Sequence, residues 1–402
     1  MVNTSGSPET AMRFDVLDAL RGTCAVLLVL FHFESNGYIA SLPVVQNGWM
    51  FVDYFFVLSG FVITHSYAAR LSGGEVSVAR FIGLRLGRIY PLHLFVLLGF
   101  VALELLLVVG GDVIAPYVTR SAFSGTRSIE ALIQNLFLFQ SFGIGTARGW
   151  NLPAWSIAAE IWTYLVFAIV FVGARKRVVL VSGLLAGAAA LALILTKSNL
   201  LVTFEGGFVR CVFGFGIGVV TYHAWRRLRP AGGSIQELGT LAITIGFVSL
   251  ATGALTFLAP LVFAGMIFVL ASQNGVVSRV LHGRVFQFLG MTSYSIYMIH
   301  SFVQGRLGEV LQITEIVAIQ VDPQGVTVLG AAPLVSDAVT LVMLALVVGA
   351  ATITYRLVEM PGQALSRRWL AVQPPAARPE TLAGTPICRC GLPGWQSRLP
   401  CR

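Results

Sequence analysis

The sequence predicts an all-α membrane protein, a polytopic bundle of about ten transmembrane helices. Of its 402 residues, 56% are hydrophobic and only 11% are charged, whereas soluble domains carry about 25% charged residues. The mean hydropathy is +0.80. Apolar runs recur at close to the roughly 20 residues that a helix needs to cross a bilayer. A water-soluble globule is therefore excluded, and the lipid bilayer is the expected surrounding.

Ten apolar runs, separated by polar or basic breaks, are the predicted spans. A shorter apolar stretch at residues 131–142 has the length of an interfacial or re-entrant segment, and it decides the orientation of everything after it. The spans lie near residues 16–33, 48–69, 86–109, 153–174, 178–196, 207–224, 237–254, 256–272, 286–304 and 335–357.

Positive charge favours the topology in which 131–142 does not cross. With a cytoplasmic N-terminus, this choice puts most of the 27 Lys and Arg residues on the inner face, as the positive-inside tendency requires. A crossing at 131–142 would move the cluster Arg175–Arg177 to the outside. We therefore predict cytoplasmic N- and C-termini. The net charge of +9 is explained by topology, and no nucleic-acid partner is expected.

Three segments make up the predicted domain organisation. Residues 1–14 form a cytoplasmic N-terminal segment, and residues 15–370 form the membrane domain, whose first apolar run lacks a cleavage site for a signal peptidase. Residues 371–402, rich in Pro, Arg and Gly, read as a disordered cytoplasmic tail. Its Cys388-x-Cys390 has no neighbouring His, so no metal site is predicted.

Four ionisable side chains inside the spans are candidate functional residues: His32, Asp53, Glu160 and His300. An ionisable group in a span costs several kcal/mol unless it is paired or hydrated. Under the predicted topology all four lie in the outer half of the membrane, and we expect them to share one cavity. For His32 alone, a neutral core imidazole bonded to a backbone carbonyl is the structural alternative.

Ser293, Tyr297 and His300 are spaced i, i+4 and i+7, so they share one helix face. This polar face is either part of a substrate site or a contact between two helices.

Two other features have structural interpretations. The aromatic residues Trp155, Trp162 and Tyr164 fit an interfacial belt. The pair Ser59-Gly60 fits close helix packing, because small residues let helices approach, and no base stands beside Ser59 in the sequence.

Arg80, Arg85 and Arg88 lie at the cytoplasmic entrance of the third span. Arg85 and Arg88 are i, i+3 neighbours, and their guanidinium groups have the geometry to clamp one phosphorylated ligand. Anchoring of the span by positive charge is the alternative.

Six blocks of the sequence resemble the acyltransferase-3 family of integral-membrane acyltransferases, and they occur in the order that is typical of that family. Its members modify surface polysaccharides, peptidoglycan, lipids or antibiotics. The six blocks extend over residues 15–368. The blocks are DVLDALRGTCAVLLVLFHF with its Arg21-x10-His32 spacing, VDYFFVLSGFVI, Arg85-x2-Arg88-IYP, PAWSIAAEIWTY, SYSIYMIH and YRLVEMPGQALSRR.

The resemblance implies a ten-span domain that moves an acyl group, usually acetyl, from cytoplasmic acyl-CoA to a hydroxyl at the outer face. It implies that His32 is catalytic and that Arg85 and Arg88 hold the donor. Arg21, in the block that contains His32, is expected to bind the donor with them. No metal is required.

The blocks around Asp53, Ser59 and Glu160 are further site elements that the resemblance implies. Ile161 and Trp162 follow Glu160 here, where relatives often have a second acidic residue or a glutamine. A role that needs that neighbour is not carried over.

The chemistry is acyl transfer from a thioester to an alcohol, whose proton must be removed. A neutral imidazole suits this at neutral pH, so we predict His32 as the general base, oriented by Asp53 or Glu160. An acyl-imidazole relay on His32 is the alternative. The residues expected to contact substrate or the oxyanion are Trp155, Ser156, Ser293, Tyr297 and His300.

The predicted function is thus a multi-pass O-acyltransferase of a bacterial inner membrane. Its expected partners are acyl-CoA and a carbohydrate or glycolipid acceptor, such as a cell-envelope glycan, contacted through loops 110–152 and 305–334. A proton-coupled transporter would use the same buried groups as a proton relay. A structural partner in an envelope polysaccharide complex is the third alternative.

Overall fold

Helices occupy all ten predicted spans. The computed structural model describes residues 12–114, 121–144, 149–314, 319–321 and 327–371. The predicted tail and most of the predicted N-terminal segment lie outside these residues. The α-helices are α1 (Asp15–Phe31), α2 (Tyr38–Ser41), α3 (Pro43–Gln46), α4 (Phe51–Ile63), α5 (Ala69–Ser72), α6 (Val78–Ile114), α7 (Ile129–Leu136), α8 (Ala154–Ala174), α9 (Val178–Thr196), α10 (Gly207–Leu228), α11 (Ser234–Leu250), α12 (Ala259–Leu270), α13 (Val276–Leu281), α14 (Arg284–Thr314), α15 (Pro333–Thr354) and α16 (Met360–Ala371).

Shorter elements connect or extend these helices. Short 3₁₀ segments lie at Gly48–Met50, Gly125–Arg127, Arg175–Arg177 and Gly253–Leu258, and π-helical turns lie at Thr64–Ala68 and Tyr355–Glu359. Strands β1 (Ile319–Val321) and β2 (Thr327–Leu329) pair antiparallel, with Ile319 opposite Leu329. This small ribbon is an addition to the all-helical prediction.

The described residues contain six stretches that are long and apolar enough to cross a membrane. One of them, Ala154–Thr196, comprises α8 and α9 joined by the turn at Arg175–Arg177. The polytopic helical bundle is confirmed, whereas the count of ten spans and the cytoplasmic termini stay predictions. The six stretches are Gly48–Ser72, Val78–Gly111, Ala154–Thr196, Gly207–Leu228, Gly253–Leu270 and Pro333–Leu370.

The apolar stretch at 131–142 forms no crossing helix. Its helix α7 has 8 residues and is about 12 Å long, against a hydrocarbon core of roughly 30 Å. The segment packs among the long helices, since Tyr90 Oη donates to the Leu136 carbonyl (2.9 Å) and Trp162 Nε1 donates to the Leu138 carbonyl (2.9 Å). The prediction of a short interfacial or re-entrant segment therefore agrees with the length of α7.

Hydrogen bonds between residues that flank the helices show which helix ends lie together, and they define two groups of ends. In one group Gln273, after α12, accepts a hydrogen bond from the backbone of Val16 at the start of α1. In the other, Thr256, before α12, accepts from the backbone of Leu200, after α9. Helix α12 runs from the second group to the first, and this matches the alternation of the predicted topology.

Two close helix crossings position the site. A Cβ atom on Gly22 of α1 would lie 2.2 Å from the backbone of Leu289 in α14, and one on Gly60 of α4 would lie 2.1 Å from the Phe215 carbonyl oxygen in α10. Only glycine permits such contacts. They bring α1 against α14 and α4 against α10, and the residues before the two glycines, Arg21 and Ser59, both face the inside of the bundle.

Candidate functional site

A cavity of about 120 Å³ lies between α1, α4, α6, α8 and α14. It is smaller than the roughly 300–1,000 Å³ of sites that enclose a whole small ligand, so it holds only part of one. Arg21, Arg85 and Arg88 all line it. The three predicted donor-site arginines are thus brought to one place in the structure.

Arg21 is directed into the bundle by the crossing of α1 and α14. Its Nε donates to Ser293 Oγ (2.8 Å), and its Nη2 donates to the Gly290 carbonyl (3.1 Å). Its Nη1 lies 3.1 Å from Asp18 Oδ1. The guanidinium is therefore fixed at the cavity wall.

Arg85 is held by an aromatic side chain, and Arg88 is more exposed. Nη2 of Arg85 donates to Tyr67 Oη (2.8 Å), and its guanidinium lies 4.7 Å from the centroid of the Tyr67 ring. Its Nε is buried and has no hydrogen-bond partner among the described residues. One donor of Arg85 therefore remains available to a ligand in the cavity.

The two π-helical turns lie beside Arg85 and Arg88. Single π-helical turns are frequent at functional sites. The first, Thr64–Ala68, carries Tyr67. The second, Tyr355–Glu359, carries the buried Glu359, which accepts a hydrogen bond from Ser295 Oγ (2.7 Å) and interacts electrostatically with Arg88. Both turns thus present a polar group to a cavity arginine.

A serine, a glutamate and a tyrosine form a hydrogen-bonded group on the cavity wall. Ser59 Oγ and Tyr164 Oη both donate to Glu160 Oε1, and the two hydroxyl oxygens lie 3.4 Å apart. All three residues line the cavity. The packing interpretation holds for Gly60, whereas Ser59 faces the cavity, and Tyr164 is a site residue rather than part of an interfacial belt.

The predicted polar face of α14 lines this cavity with two of its three residues. Ser293 and Tyr297 line it together with Ser156 of α8. Tyr297 Oη lies 2.6 Å from Ser156 Oγ and donates to the Pro153 carbonyl (3.0 Å). Three predicted substrate-binding residues therefore lie on one wall.

His300 and His32 lie beyond Tyr297. The ring of His300 is 5.9 Å from the Tyr297 ring and 5.0 Å from the His32 ring, centroid to centroid. Nδ1 of His32 lies 3.0 Å from the Leu28 carbonyl oxygen, and Nδ1 of His300 lies 2.7 Å from that of Tyr297. Because a carbonyl oxygen only accepts, each Nδ1 carries the hydrogen and each neutral ring keeps its lone pair on Nε2.

The expectation of one shared cavity for the four ionisable groups is wrong. Glu160 is the member that lines the cavity, whereas His32, Asp53 and His300 do not. His300 lies almost one helical turn beyond Tyr297, and His32 lies at the end of α1. The two histidines form a separate group beside Tyr297, which lines the cavity.

The predicted orienting role of Asp53 or Glu160 toward His32 is also wrong. Asp53 forms a buried bidentate ion pair with Arg210, whose Nε and Nη2 donate to its two oxygens at 2.9 Å and 2.7 Å. Glu160 is engaged by Ser59 and Tyr164. A backbone carbonyl, from Leu28, takes the orienting position.

Trp155 lies behind the cavity wall rather than in its lining. Its ring is 5.6 Å from the Arg210 guanidinium, and a Cβ atom on Gly207 would lie 2.8 Å from the ring. Trp155 therefore packs α8 against α10, and the structure brings it into no contact with the cavity.

Tyr67 and Arg210 are the residues that sequence reasoning missed. Arg210 is a charge in the middle of an apolar run, and this was a signal that a buried carboxylate must lie opposite it. Tyr67 carried no such signal, because its position depends on the π-helical turn. Within the described part of the chain, no group of three His, Cys, Asp or Glu side chains has the arrangement of a metal site.

Comparisons with known proteins give a family match. The sequence profile of a family described as "Acyltransferase domain" matches residues 14–355. No solved structure matches significantly.

Two curated relatives match parts of the chain. "Protein 2 in picA locus" of Rhizobium radiobacter is 32% identical over 159 residues, which are 39% of this chain and 81% of that protein. "Acyltransferase MdmB" of Streptomyces mycarofaciens is 28% identical over 180 residues, and the match covers 42% of each chain.

Proposed function

The chain belongs to the acyltransferase-domain family and is a multi-pass membrane acyltransferase, and from this premise we propose that it transfers an acyl group from acyl-CoA to a hydroxyl of a carbohydrate acceptor. The acyl group in this proposal is acetyl. The donor enters from the cytoplasm, and the acceptor is a cell-envelope glycan or glycolipid at the outer face of the inner membrane.

The arrangement that carries this proposal is the convergence of Arg21, Arg85 and Arg88 on one small cavity. Guanidinium groups bind phosphate oxygens in bidentate geometry, and acyl-CoA is a phosphorylated thioester. A cavity of about 120 Å³ is too small for the nucleotide. We therefore place the phosphates at the exposed Arg88 and the thioester end inside, next to Ser59 and Glu160.

The path outward follows α14 from Ser293 to His300, which is about 10 Å along the helix axis. Tyr297 separates the cavity from the two histidines. In this proposal the acyl end of the donor passes Tyr297, while the acceptor hydroxyl approaches from the His32 side. Tyr297 Oη, held by Ser156 and Pro153, is placed to donate to the carbonyl oxygen as negative charge develops there.

His32 Nε2 accepts the proton of the acceptor hydroxyl in the proposed reaction. The hydroxyl oxygen attacks the thioester carbonyl carbon, the carbon–sulfur bond breaks, and the protonated His32 gives its proton to the thiolate, which leaves as CoA thiol. His32 is suited to this step because the Leu28 carbonyl fixes the hydrogen on Nδ1. The Leu28 bond replaces the carboxylate of a Ser-His-Asp triad as the group that fixes the tautomer.

The test is transfer of labelled acetyl from acetyl-CoA to glycan acceptors by the purified protein. We expect His32→Ala to lower turnover by about 10²–10⁴, the usual contribution of a general base. His223→Ala is the matched control. His223 makes the same bond to the carbonyl four residues earlier (2.9 Å), but it lies near the C-terminal end of α10 and does not line the cavity. Equal activity of His32→Ala and wild type, or solute uptake without acetyl-CoA turnover, would contradict the proposal.

A further inference from the structure

The last turn of α1 leads directly into His32, and its carbonyls find their donors in an unusual way. Carbonyls at the end of a helix lose the donors four residues ahead and need other partners. The Leu28 carbonyl accepts from the backbone N–H (3.2 Å) and from the ring Nδ1 (3.0 Å) of His32. The Phe33 N–H donates to the Leu30 carbonyl (3.2 Å), three residues back. The Val29 carbonyl, between these two, is therefore open to a donor from outside α1.

Gln304 of α14 supplies this donor. Its Nε2 donates to the Val29 carbonyl oxygen (2.8 Å), and the same nitrogen lies 3.6 Å from Met343 Sδ of α15. Gln304 is 9% exposed. Burying an amide costs free energy unless the amide is hydrogen-bonded, so the bond to Val29 compensates the burial of this side chain.

We propose that Gln304 is a positioning residue for the base, because it holds the turn of α1 that carries His32 against α14. The proposal rests on the proposed function and adds to it the group that keeps His32 in place. Gln304 contacts no reacting atom in this proposal. It acts through the backbone of α1, three residues before His32.

The bond joins the two helices next to the histidine pair. Val29 lies three residues before His32 and Gln304 four residues after His300, so each bonded residue is about one helical turn from its ring. The two rings are 5.0 Å apart. An untied helix end opens more readily than the rest of the helix, since its last carbonyls have no donors within the helix. The bond from Gln304 therefore keeps the His32 ring at the level of His300.

Gln287 offers a comparison at the other end of the same helix pair. It lies in the first turn of α14, and its Nε2 donates to the Asp15 carbonyl at the start of α1 (3.2 Å) and to the Leu281 carbonyl (2.9 Å). It lies 17 residues before Gln304 on α14, or about 26 Å along the axis, and outside the lining of the arginine cavity. If these bonds serve packing alone, both glutamines should matter equally. If Gln304 positions the base, only Gln304 should change catalysis.

The experiment compares Gln304→Met with Gln287→Met in the purified full-length protein, with labelled acetyl-CoA and glycan acceptors. Methionine has a similar length and lacks the donor. We expect Gln304→Met to lower kcat by about 3–10-fold, the effect of one neutral hydrogen bond, and to leave the donor and acceptor KM unchanged. Gln287→Met should keep the wild-type kcat, even where both variants lower the Tm.

The His32→Ala background separates positioning from a general loss of structure. Without the imidazole there is nothing left for Gln304 to position, so adding Gln304→Met should leave the residual rate of His32→Ala unchanged. A further fall of about 3–10-fold in this background would show that Gln304 acts independently of His32 and would overturn the proposal. Gln304→Asn, whose amide is one methylene shorter, is the second variant at this position and should behave as Gln304→Met in both backgrounds.

The outcomes separate the two proposals. If the wild type transfers acetyl and loses this activity in His32→Ala, but Gln304→Met and Gln304→Asn keep the wild-type kcat or Gln287→Met loses as much, Gln304 is not a positioning residue and the acyltransferase proposal stands. If the wild type neither turns over acetyl-CoA nor labels any acceptor, the proposed function fails and the positioning role fails with it.

Discussion

The imidazole rings of His32 and His300 lie 5.0 Å apart, centroid to centroid, with their planes tilted by 35°. They come from α1 and α14, whose contact is made possible by Gly22. Each ring is held through Nδ1 by a carbonyl of its own helix. The pair therefore presents two unprotonated Nε2 atoms at one place, and the His300 ring lies beside the His32 ring.

His300→Phe tests this pairing, because phenylalanine retains the aromatic volume and removes both nitrogens. His300 Nε2 is buried without a hydrogen-bond partner among the described residues, so little stability depends on it. We expect kcat to fall while the donor KM stays unchanged, because the His32 ring loses the imidazole beside it and keeps its own bond to Leu28. The measurement is steady-state transfer kinetics with His223→Phe as the control. An unchanged kcat would contradict a role for His300.

Asp53 and Arg210 form a buried ion pair in which both side chains are at most 1% exposed, and we predict a structural role for it. Asp53→Asn leaves the guanidinium buried and uncompensated, which costs about 3–5 kcal/mol of folding free energy. We expect a lower Tm in detergent for Asp53→Asn and for Arg210→Gln, and a smaller loss in the double variant than the sum of the two. A variant of Asp53 with a wild-type Tm and no activity would instead indicate a catalytic carboxylate.

Tyr67 positions Arg85 through its hydroxyl and its ring. Tyr67→Phe removes the hydrogen bond alone and should raise the donor KM by about 3–10-fold. Tyr67→Ala removes the ring as well and should raise it further. Neither change should alter the acceptor KM. If the acceptor KM rises and the donor KM does not, Arg85 is not part of the donor site.

Gly60 is required for the approach of α4 to α10. The added methyl group of Gly60→Ala would lie 2.1 Å from the Phe215 carbonyl oxygen, so the helices must separate, at a cost of about 1–3 kcal/mol for overpacking. Gly239→Ala is the control, because a Cβ atom there meets nothing within 4 Å and alanine favours a helix by about 1 kcal/mol. We expect a lower Tm for the first variant and an equal or higher Tm for the second. The reverse order would contradict the packing of α4 on α10.

The sequence predicted the helices and much of the inner cavity for identifiable reasons. Apolar runs of membrane length are a local property, so every predicted span falls on a helix. The common face of Ser293 and Tyr297 follows from helical spacing, and both residues line the cavity. Arg85 and Arg88 are three residues apart on α6, so their common face also follows from helical spacing.

The pairings across helices were not predictable in this way. Ser59 meets Glu160 and Asp53 meets Arg210 over separations of 101 and 157 residues, and these contacts depend on which helices pack together. Helical periodicity gives the face of each helix but not its neighbour. For this reason His32 was expected beside a carboxylate, whereas the structure places it beside His300.

Proteoliposomes with acetyl-CoA on one side only test the complete path. Labelled acetyl-CoA is sealed with protein whose Arg88 end faces the lumen, and a neutral sugar is supplied outside. We expect labelled sugar outside and free CoA inside for wild type and His223→Ala, and neither product for His32→Ala. Transfer that persists in His32→Ala, or that requires donor and acceptor on the same side, would contradict a reaction in which His32 joins the arginine cavity to an outer acceptor.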